Sequence, residues 1–313
     1  MNALTIPFLQ TYAGMSVLVT GGAGFIGSHI TEKLVNIGAQ VTVLDNLSSG
    51  SLDNLKAVRE QITFIHGDIT DLSTCIQATT GVQTVFHLAA LVSVPASVEN
   101  PLTCHAINVT GTFNIIEAAR INKTNKVIFS SSSAVYGAKE GVCREEDTCS
   151  PLSPYGSSKL IGEEYCRVYA RTFGIRTLCL RYFNVFGPRQ NPSGPYAGVI
   201  AQWNQAMALN NPITIYGDGL QSRDFIPVEQ VAIANLTLAL LPDALLDGRP
   251  VNIATGTSMT LLDLVSQLKK EHPGYAAELC FQPARPGDIK HSGALCERYH
   301  AYLQQAYHAH AYH

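Results

Sequence analysis

Apolar residues along this chain fall into two alternating rhythms. Val17-Leu18-Val19-Thr20 is a short continuous apolar run that stops at Gly21-Gly22, the pattern of a strand buried on both faces. Phe25, Ile26, Ile30, Leu34 and Ile37 then recur at helical spacing up to Gly38, one buried helix face closed by a glycine. Gln40-Val41-Thr42-Val43-Leu44 forms the next strand and ends at Asp45. The alternation continues through Thr63–His66, Thr84–Ala89, Lys126–Ser130 and Arg176–Arg181. It predicts an α/β fold of the Rossmann type, a doubly wound parallel sheet with helices on both faces. After Tyr182 the texture changes, with Gly187-Pro188, Asn191-Pro192, Gly194-Pro195 and Asn211-Pro212 marking loops. The expected organisation is a nucleotide-binding domain over residues 1–182, with contributions from later segments, and a smaller substrate-binding region over 183–313. No internal repeat or long low-complexity linker interrupts the chain.

The first strand-to-helix junction carries chemistry. In Gly21-Gly22-Ala23-Gly24-Phe25-Ile26-Gly27, Gly21 and Gly22 are expected to take the tight turn. Gly24 lets backbone N–H groups approach a pyrophosphate, and Gly27 lets helix and strand pack closely. A lone GxGxxG is a weak signal, but here the strand, helix and second strand all follow in order. Asp45, about 20 residues past the glycines, sits where a carboxylate accepts hydrogen bonds from the adenosine ribose of NAD. It would repel the extra phosphate of NADP, and no basic residue follows closely to favour that phosphate. As a turn former ahead of Asn46, Asp45 would need no ligand.

Composition narrows the class. The chain has 313 residues, 46% of them hydrophobic, and a net charge of −3, enough for one large core and a smaller second one but no footprint for nucleic acid or an anionic membrane. Eight scattered cysteines show no CxxC or zinc spacing and read as reduced thiols. Thr5-Ile6-Pro7-Phe8-Leu9 is too short and broken for a signal or a membrane span. A soluble cytoplasmic protein without a metal site is expected.

The middle strands add a second constellation. Phe129 leads into Ser130-Ser131-Ser132-Ser133-Ala134-Val135-Tyr136-Gly137, and Tyr155-Gly156-Ser157-Ser158-Lys159 follows after a loop. Tyr-x-x-x-Lys places both side chains on one helix face, one turn apart. A phenol titrates too high to act as a base at neutral pH, but an adjacent ammonium and an oxidised nicotinamide both favour phenolate. Thirteen tyrosines make such a pair easy to obtain by chance, and an ordinary helix-surface pair beside a serine-rich turn is the bland alternative. Position favours chemistry, because Pro151 and Pro154 introduce the helix and the serines end a central strand.

These motifs together resemble the extended short-chain dehydrogenases/reductases, and within them the UDP-hexose 4-epimerases, over about Met15 to Cys296. The resemblance rests on Thr20–His29, Leu44-Asp45-Asn46, Gly67-Asp68-Ile69, His87-Leu88-Ala89-Ala90, Tyr155 with Lys159, Arg181-Tyr182-Phe183-Asn184-Val185-Phe186-Gly187-Pro188 and Ser222-Arg223-Asp224-Phe225. It implies an NAD site built from Gly21, Gly24, Phe25, Ile26, Gly27, Asp45, Asn46, Asp68, Ile69, Leu88, Ala89, Ala90, Asn108, Ser130, Tyr155, Lys159 and Tyr182. Tyr155 would be the proton acceptor, Lys159 would bind the nicotinamide ribose and lower the tyrosine pKa, and Ser132 would relay the proton. Nucleotide-sugar dehydratases of this fold carry Thr-Asp-Glu at the strand end, and uronate decarboxylases also place a glutamate there. Here Ser132, Ser133 and Ala134 stand instead, which removes the acid those eliminations need.

On the sugar side the resemblance implies contacts from Ser93, Ser132, Ser133, Asn184, Val199, Tyr216, Arg223, Arg285, Asp288 and Ser292. Two arginines facing a pyrophosphate give charge-assisted hydrogen bonds. Ser292 stands where a bulky tyrosine blocks a C2 substituent in strict UDP-glucose enzymes, so a small residue admits an N-acetyl group. Ser93-Val94-Pro95 and the segment from Asn184 to Ile200 also look like bacterial UDP-N-acetylglucosamine 4-epimerases. The expected reaction is UDP-GlcNAc/UDP-GalNAc interconversion through a 4-keto sugar, with UDP-glucose/UDP-galactose as a second activity. A UDP-uronate epimerase, another NAD-dependent nucleotide-sugar reductase or dehydratase, and a non-catalytic NAD sensor are the alternatives. Helices near Leu102–Arg120 and Tyr155–Thr172 resemble those of a family homodimer interface. The C-terminal part is shorter than the family pattern, and His300, His308, His310 and His313 are expected to be terminal residues with no ligand role.

Overall fold

The computed structural model describes residues 7–139, 141–192, 198–284 and 290–310. Its main sheet has seven parallel strands. They are β1 (Ser16–Thr20), β2 (Gln40–Asp45), β3 (Ile62–His66), β4 (Thr84–His87), β5 (Lys126–Ser132), β7 (Arg176–Tyr182) and β11 (Asp247–Ile253), in the spatial order β11-β7-β5-β4-β1-β2-β3. β1 pairs with both β2 and β4, so the strand order reverses there. That reversal opens a crevice beyond the carboxyl ends of the strands.

Local sequence explains the helices that frame the crevice. α1 (Phe25–Ile37) ends at Gly38, whose φ of 93° supplies the left-handed cap. α6 (Pro154–Phe173) begins with the Ser153 side chain accepting the Gly156 N–H and with proline in its first turn, a well-defined start. Between β4 and β5 the chain forms α3 (Val94–Glu99), α4 (Pro101–His105), a π-helical turn over Ala106–Gly111 and α5 (Thr112–Ile121). α2 (Leu72–Thr79) packs on α5. Two apolar cores lie against the sheet, one built on residues such as Val19, Val43, Phe86 and Ile128, the other on Leu18, Val85, Val127 and Phe129.

The later half is less separate than its loop-rich texture suggests. α8 (Val228–Leu238) packs on α1, and β11 returns to the edge of the main sheet beside β7. α10 (Glu297–His310) lies on both α8 and β11, with Tyr299, Tyr302 and Ala306 buried. The tail histidines His300 and His308 therefore ride on an ordered helix; His313 lies outside the described residues. Among the described residues no cluster of His, Cys, Asp or Glu could hold a metal, and no helix is long and apolar enough to cross a membrane.

The remaining elements form a smaller lobe. β6 (Gly141–Cys143), β8 (Asn184–Phe186), β10 (Ser222–Pro227), β12 (Ser258–Thr260) and β14 (His291–Ala294) pair around β10 and β14, while β9 (Ile213–Tyr216) pairs with β13 (Leu279–Gln282). α7 (Val199–Ala208) and α9 (Leu261–Glu271) close this lobe over its own core of Ile200, Trp203, Ile213, Ile215, Phe225 and Leu264.

Candidate active site

The glycine turn divides its tasks differently from the sequence expectation. Only Gly21, at φ 67°, needs the left-handed region, and a Cβ on it would lie 2.8 Å from the Ala89 nitrogen. Gly22 does not share the positive φ; its lack of a side chain lets Val43 and Thr31 pack against it. A Cβ on Gly27 would lie 2.1 Å from the Gly21 carbonyl oxygen, whereas one on Gly24 meets only that oxygen, at 3.1 Å. Gly27 is thus required by helix–turn packing, while Gly24 leaves room above the helix start. No side chain caps α1, so its first N–H groups and dipole point at that room, the arrangement that binds a phosphate.

Asp45 is buried at the tip of β2 and braces the turn: its Oδ2 accepts the Ala23 N–H at 2.9 Å and its Oδ1 the Leu47 N–H at 2.8 Å. Asn46 donates to Asp68 at 2.8 Å. Partial burial works against ionisation of Asp68, yet the hydrogen bonds from Thr70 and Asn46 hold its carboxyl below the ordinary range. Ile69 packs on Gly111. Asn108 is occupied internally, accepting the Leu91 N–H at 2.7 Å and donating to the Leu91 carbonyl and Ser158 Oγ at 3.0 Å each. It fixes the chain beyond Leu88, Ala89 and Ala90 to the helix that carries Tyr155. The uncapped α1 start, the space over Gly24 and the carboxylate at the end of β2 fit a dinucleotide.

At the end of β5, Lys159 reaches under the strand and donates to the Ser130 carbonyl at 2.8 Å, its Nζ 5.9 Å from the Tyr155 ring centre. Burial pushes Lys159 down to about 8. Burial also raises the Tyr155 phenol, and the Ser132 hydroxyl partly opposes this. Desolvation works on both groups, raising the phenol and lowering the ammonium, and the positive charge of an oxidised nicotinamide would add to that of Lys159 in favouring phenolate. Ser132 Oγ accepts the Ala134 N–H at 3.2 Å, leaving its proton for another partner. Tyr182 Oη lies 3.0 Å from Ser130 Oγ and 2.9 Å from Asn235 Oδ1, and burial pushes it up to about 12.

A cleft of about 580 Å³ runs from the first turn of α1 to the small lobe. Phe25, Ile26, Ser93, Ser132, Ser133, Tyr155, Tyr182, Asn184, Val199, Tyr216 and Arg223 all line it. Asn184 is held by donation to the Asp224 carbonyl at 3.0 Å, and Arg223 by donation to the Ser222 carbonyl at 2.9 Å. Ser292 does not line the cleft but pairs in register with Arg223, which does. Arg285 and Asp288 lie outside the described residues. Gly21, Gly24, Gly27, Asp45, Asn46 and Asp68 do not themselves line this cleft; they surround the start of α1 and the carboxyl ends of β1 to β3.

Two features escaped sequence reasoning. Gln190 lines the cleft; its Nε2 donates to the Val185 carbonyl, and its buried Oε1 has no partner among the described residues. The anchored amide fixes this part of the cleft wall, and Gly187-Pro188-Arg189-Gln190 at the loop edge is the only sequence sign of it. The second is a buried ion pair beneath the serines. Glu163 takes two hydrogen bonds from Arg181, at 2.8 and 2.7 Å, and one from Ser131 at 2.5 Å. Glu163 stands one turn past Lys159 on α6, so its position in the helix was visible, but its partner comes from β7.

A doubly wound sheet whose buried tyrosine and lysine overlook the dinucleotide crevice defines an extended short-chain dehydrogenase/reductase. Comparison with known proteins gives the particular family. The model of the NAD dependent epimerase/dehydratase family matches residues 17–254. The UDP-N-acetylglucosamine 4-epimerase of Methanobrevibacter ruminantium M1, solved with UDP-N-acetylmuramic acid, is 38% identical and superposes with a TM-score of 0.87 over 94% of this chain and 96% of its own. The UDP-glucose 4-epimerase of Thermotoga maritima, solved with UDP-glucose, is 36% identical with a TM-score of 0.87 over 93% of each chain. The UDP-glucuronic acid 4-epimerase of Bacillus cereus, solved with UDP-glucuronic acid and NAD, is 34% identical with a TM-score of 0.83 over 93% of each chain. The chain belongs to the NAD dependent epimerase/dehydratase family, among its UDP-sugar 4-epimerases, with NAD as cofactor.

Proposed function

We propose that the protein interconverts UDP-GlcNAc and UDP-GalNAc, and UDP-glucose and UDP-galactose as a second activity. The observation that carries the sugar assignment is the small Ser292 in register with cleft-lining Arg223, where a bulky ring would narrow the site against a C2 substituent. Hydroxyl groups rather than carboxylates at Ser132 and Ser133 favour reversible oxidation over elimination.

When bound, NAD supplies a reversible hydride acceptor for the sugar C4. Tyr155 Oη takes the proton of the C4 hydroxyl, directly or through Ser132 Oγ. Lys159 stabilises the phenolate, Asn184, Arg223 and Arg285 hold the diphosphate and Asp288 the nucleoside ribose, while Tyr216 lies beside the base. Anchored at that end, the 4-keto sugar turns over, and Tyr155 returns the proton when the opposite face is reduced. The exposed apolar side chains Leu102, Ile161, Val168 and Phe173 support a homodimer through α4 and α6. Eight unpaired cysteines support a reducing, cytoplasmic location.

A substrate panel tests the assignment. With no NAD added, UDP-GlcNAc is expected to give UDP-GalNAc with higher kcat/KM than UDP-glucose gives UDP-galactose, and Ser292→Tyr to reverse that order. Exclusive turnover of UDP-glucuronic acid would replace this reading with the uronate one that the Bacillus cereus structure favours.

A further inference from the structure

His87 ends β4 inside the protein, 1% exposed, with the Phe129 ring stacked beside it at 5.8 Å. Its Nδ1 is 2.7 Å from Thr20 Oγ1 and its Nε2 is 3.0 Å from Thr112 Oγ1. Hydrogen-bond accounting assigns the protons. Thr20 Oγ1 accepts the Ala89 N–H at 3.2 Å and shares the Leu88 N–H, at 3.2 Å, with the Thr20 carbonyl at 3.1 Å, so both of its lone pairs face backbone donors. Its own proton must therefore go to His87 Nδ1, leaving the imidazole proton on Nε2, where it is donated to Thr112. Burial, and less strongly the Lys159 ammonium, push the imidazole down to about 3.

The segment this chain of bonds holds is the floor of the glycine turn. Gly21 lies so close to Leu88 and Ala89 that a Cβ would meet the Ala89 nitrogen at 2.8 Å and its Cα at 2.9 Å. Any shift of the Leu88–Ala89 backbone is thus passed to Gly21 and to the start of α1. Neutrality matters as well. Lys159 Nζ lies 5.1 Å from the centre of the same Phe129 ring, so a charged His87 would repel the ammonium that Tyr155 depends on.

We propose that His87 is a positioning residue for the NAD site, locked as the neutral Nε2–H tautomer by Thr20 and Thr112, and that the Thr20–His87 bond sets the backbone on which the dinucleotide turn rests. The inference rests on the family's NAD cofactor and is independent of which sugar is turned over.

Matched variants separate this role from simple packing. In His87→Asn the side-chain oxygen replaces Nδ1 as acceptor for Thr20, whereas in His87→Gln the amide reaches Thr112 and leaves the Thr20 proton unpaired. In NAD titrations of the full chain, His87→Asn should bind within about threefold of wild type and His87→Gln about tenfold more weakly, the factor one buried hydrogen bond commands. Thr20→Ser should keep the wild-type affinity, and Thr20→Val, which also removes the acceptor for the Leu88 and Ala89 N–H groups, should lose at least as much as His87→Gln; the His87 tautomer read by NMR decides the matter if His87→Gln fails to fold. In protein labelled with 15N-histidine, the resonance missing from His87→Asn should show a bare Nδ1 and a protonated Nε2, with no titration from roughly pH 5 to 8. Equal NAD affinity in the Asn and Gln variants together with Thr20→Val, or a His87 that titrates in this range or carries its proton on Nδ1, would overturn the proposal.

Discussion

Gly24→Ala and Gly27→Ala separate two roles that a glycine fingerprint merges. On Gly27 the added methyl would lie 2.1 Å from the Gly21 carbonyl oxygen and 2.9 Å from Gly22 Cα. Those atoms are backbone, so the turn must move by about an ångström, and overpacking of this kind costs about 1–3 kcal/mol. On Gly24 the methyl meets a single atom at 3.1 Å, which a few tenths of an ångström relieve, and folding should lose less than about 1 kcal/mol. The methyl does fill the space into which the uncapped α1 points. Thermal unfolding with and without saturating NAD measures both roles, since a ligand at 100 times its Kd adds about 2.7 kcal/mol. Gly24→Ala should unfold like wild type without NAD and lose most of the NAD-induced rise; Gly27→Ala should unfold earlier in both conditions. A Gly24→Ala protein with the full NAD-induced rise, or a Gly27→Ala protein as stable as wild type, would refute this division.

Three further expectations follow from the buried groups. Arg181→Met leaves Glu163 as an uncompensated buried charge and should destabilise by about 3–5 kcal/mol in denaturant unfolding, whereas Arg181→Met with Glu163→Leu should recover most of the loss; equal losses in the single and double variants would show that the pair does not act as a charge pair. Lys159 has its pKa lowered from 10.5 to about 8 by burial, so between those values the unfolded chain binds more protons than the folded one. Stability of the NAD-free protein should therefore rise with pH from about 8 to 10.5 relative to Lys159→Met, and parallel pH–stability curves for the two proteins would contradict it. Tyr155→Phe should lower kcat by at least about a hundredfold while UDP and NAD binding stay near wild type, and a retained kcat would remove Tyr155 from the chemistry.

The parts of the fold visible in the sequence are those with local causes. β1, α1 and β2 announce themselves because period, glycine and carboxylate lie within a few dozen residues. β11 is absent from the strands expected above, and its Gly248 and Pro250 are poor strand formers; the strand tolerates them through a break in register between Asp247 and Pro250 at the edge beside β7. The site divides in the same way. Tyr155 and Lys159 are one helical turn apart and carry their geometry in their spacing, whereas Glu163–Arg181 and His87–Thr20–Thr112 join residues far apart in the chain, and no local rule pairs them. Gly22 was assigned to the turn because glycine permits it, although packing against Val43 and Thr31 is what requires it.

The central claim is that hydride leaves and returns to the same sugar carbon while Tyr155 handles the proton. Deuterium placed at C4 of UDP-GlcNAc, followed by NMR with no added NAD, tests this directly. The account predicts UDP-GalNAc with deuterium retained at C4 and no net NADH, and almost no UDP-GalNAc from Tyr155→Phe; loss of the label to solvent, or accumulation of NADH in step with product, would contradict it.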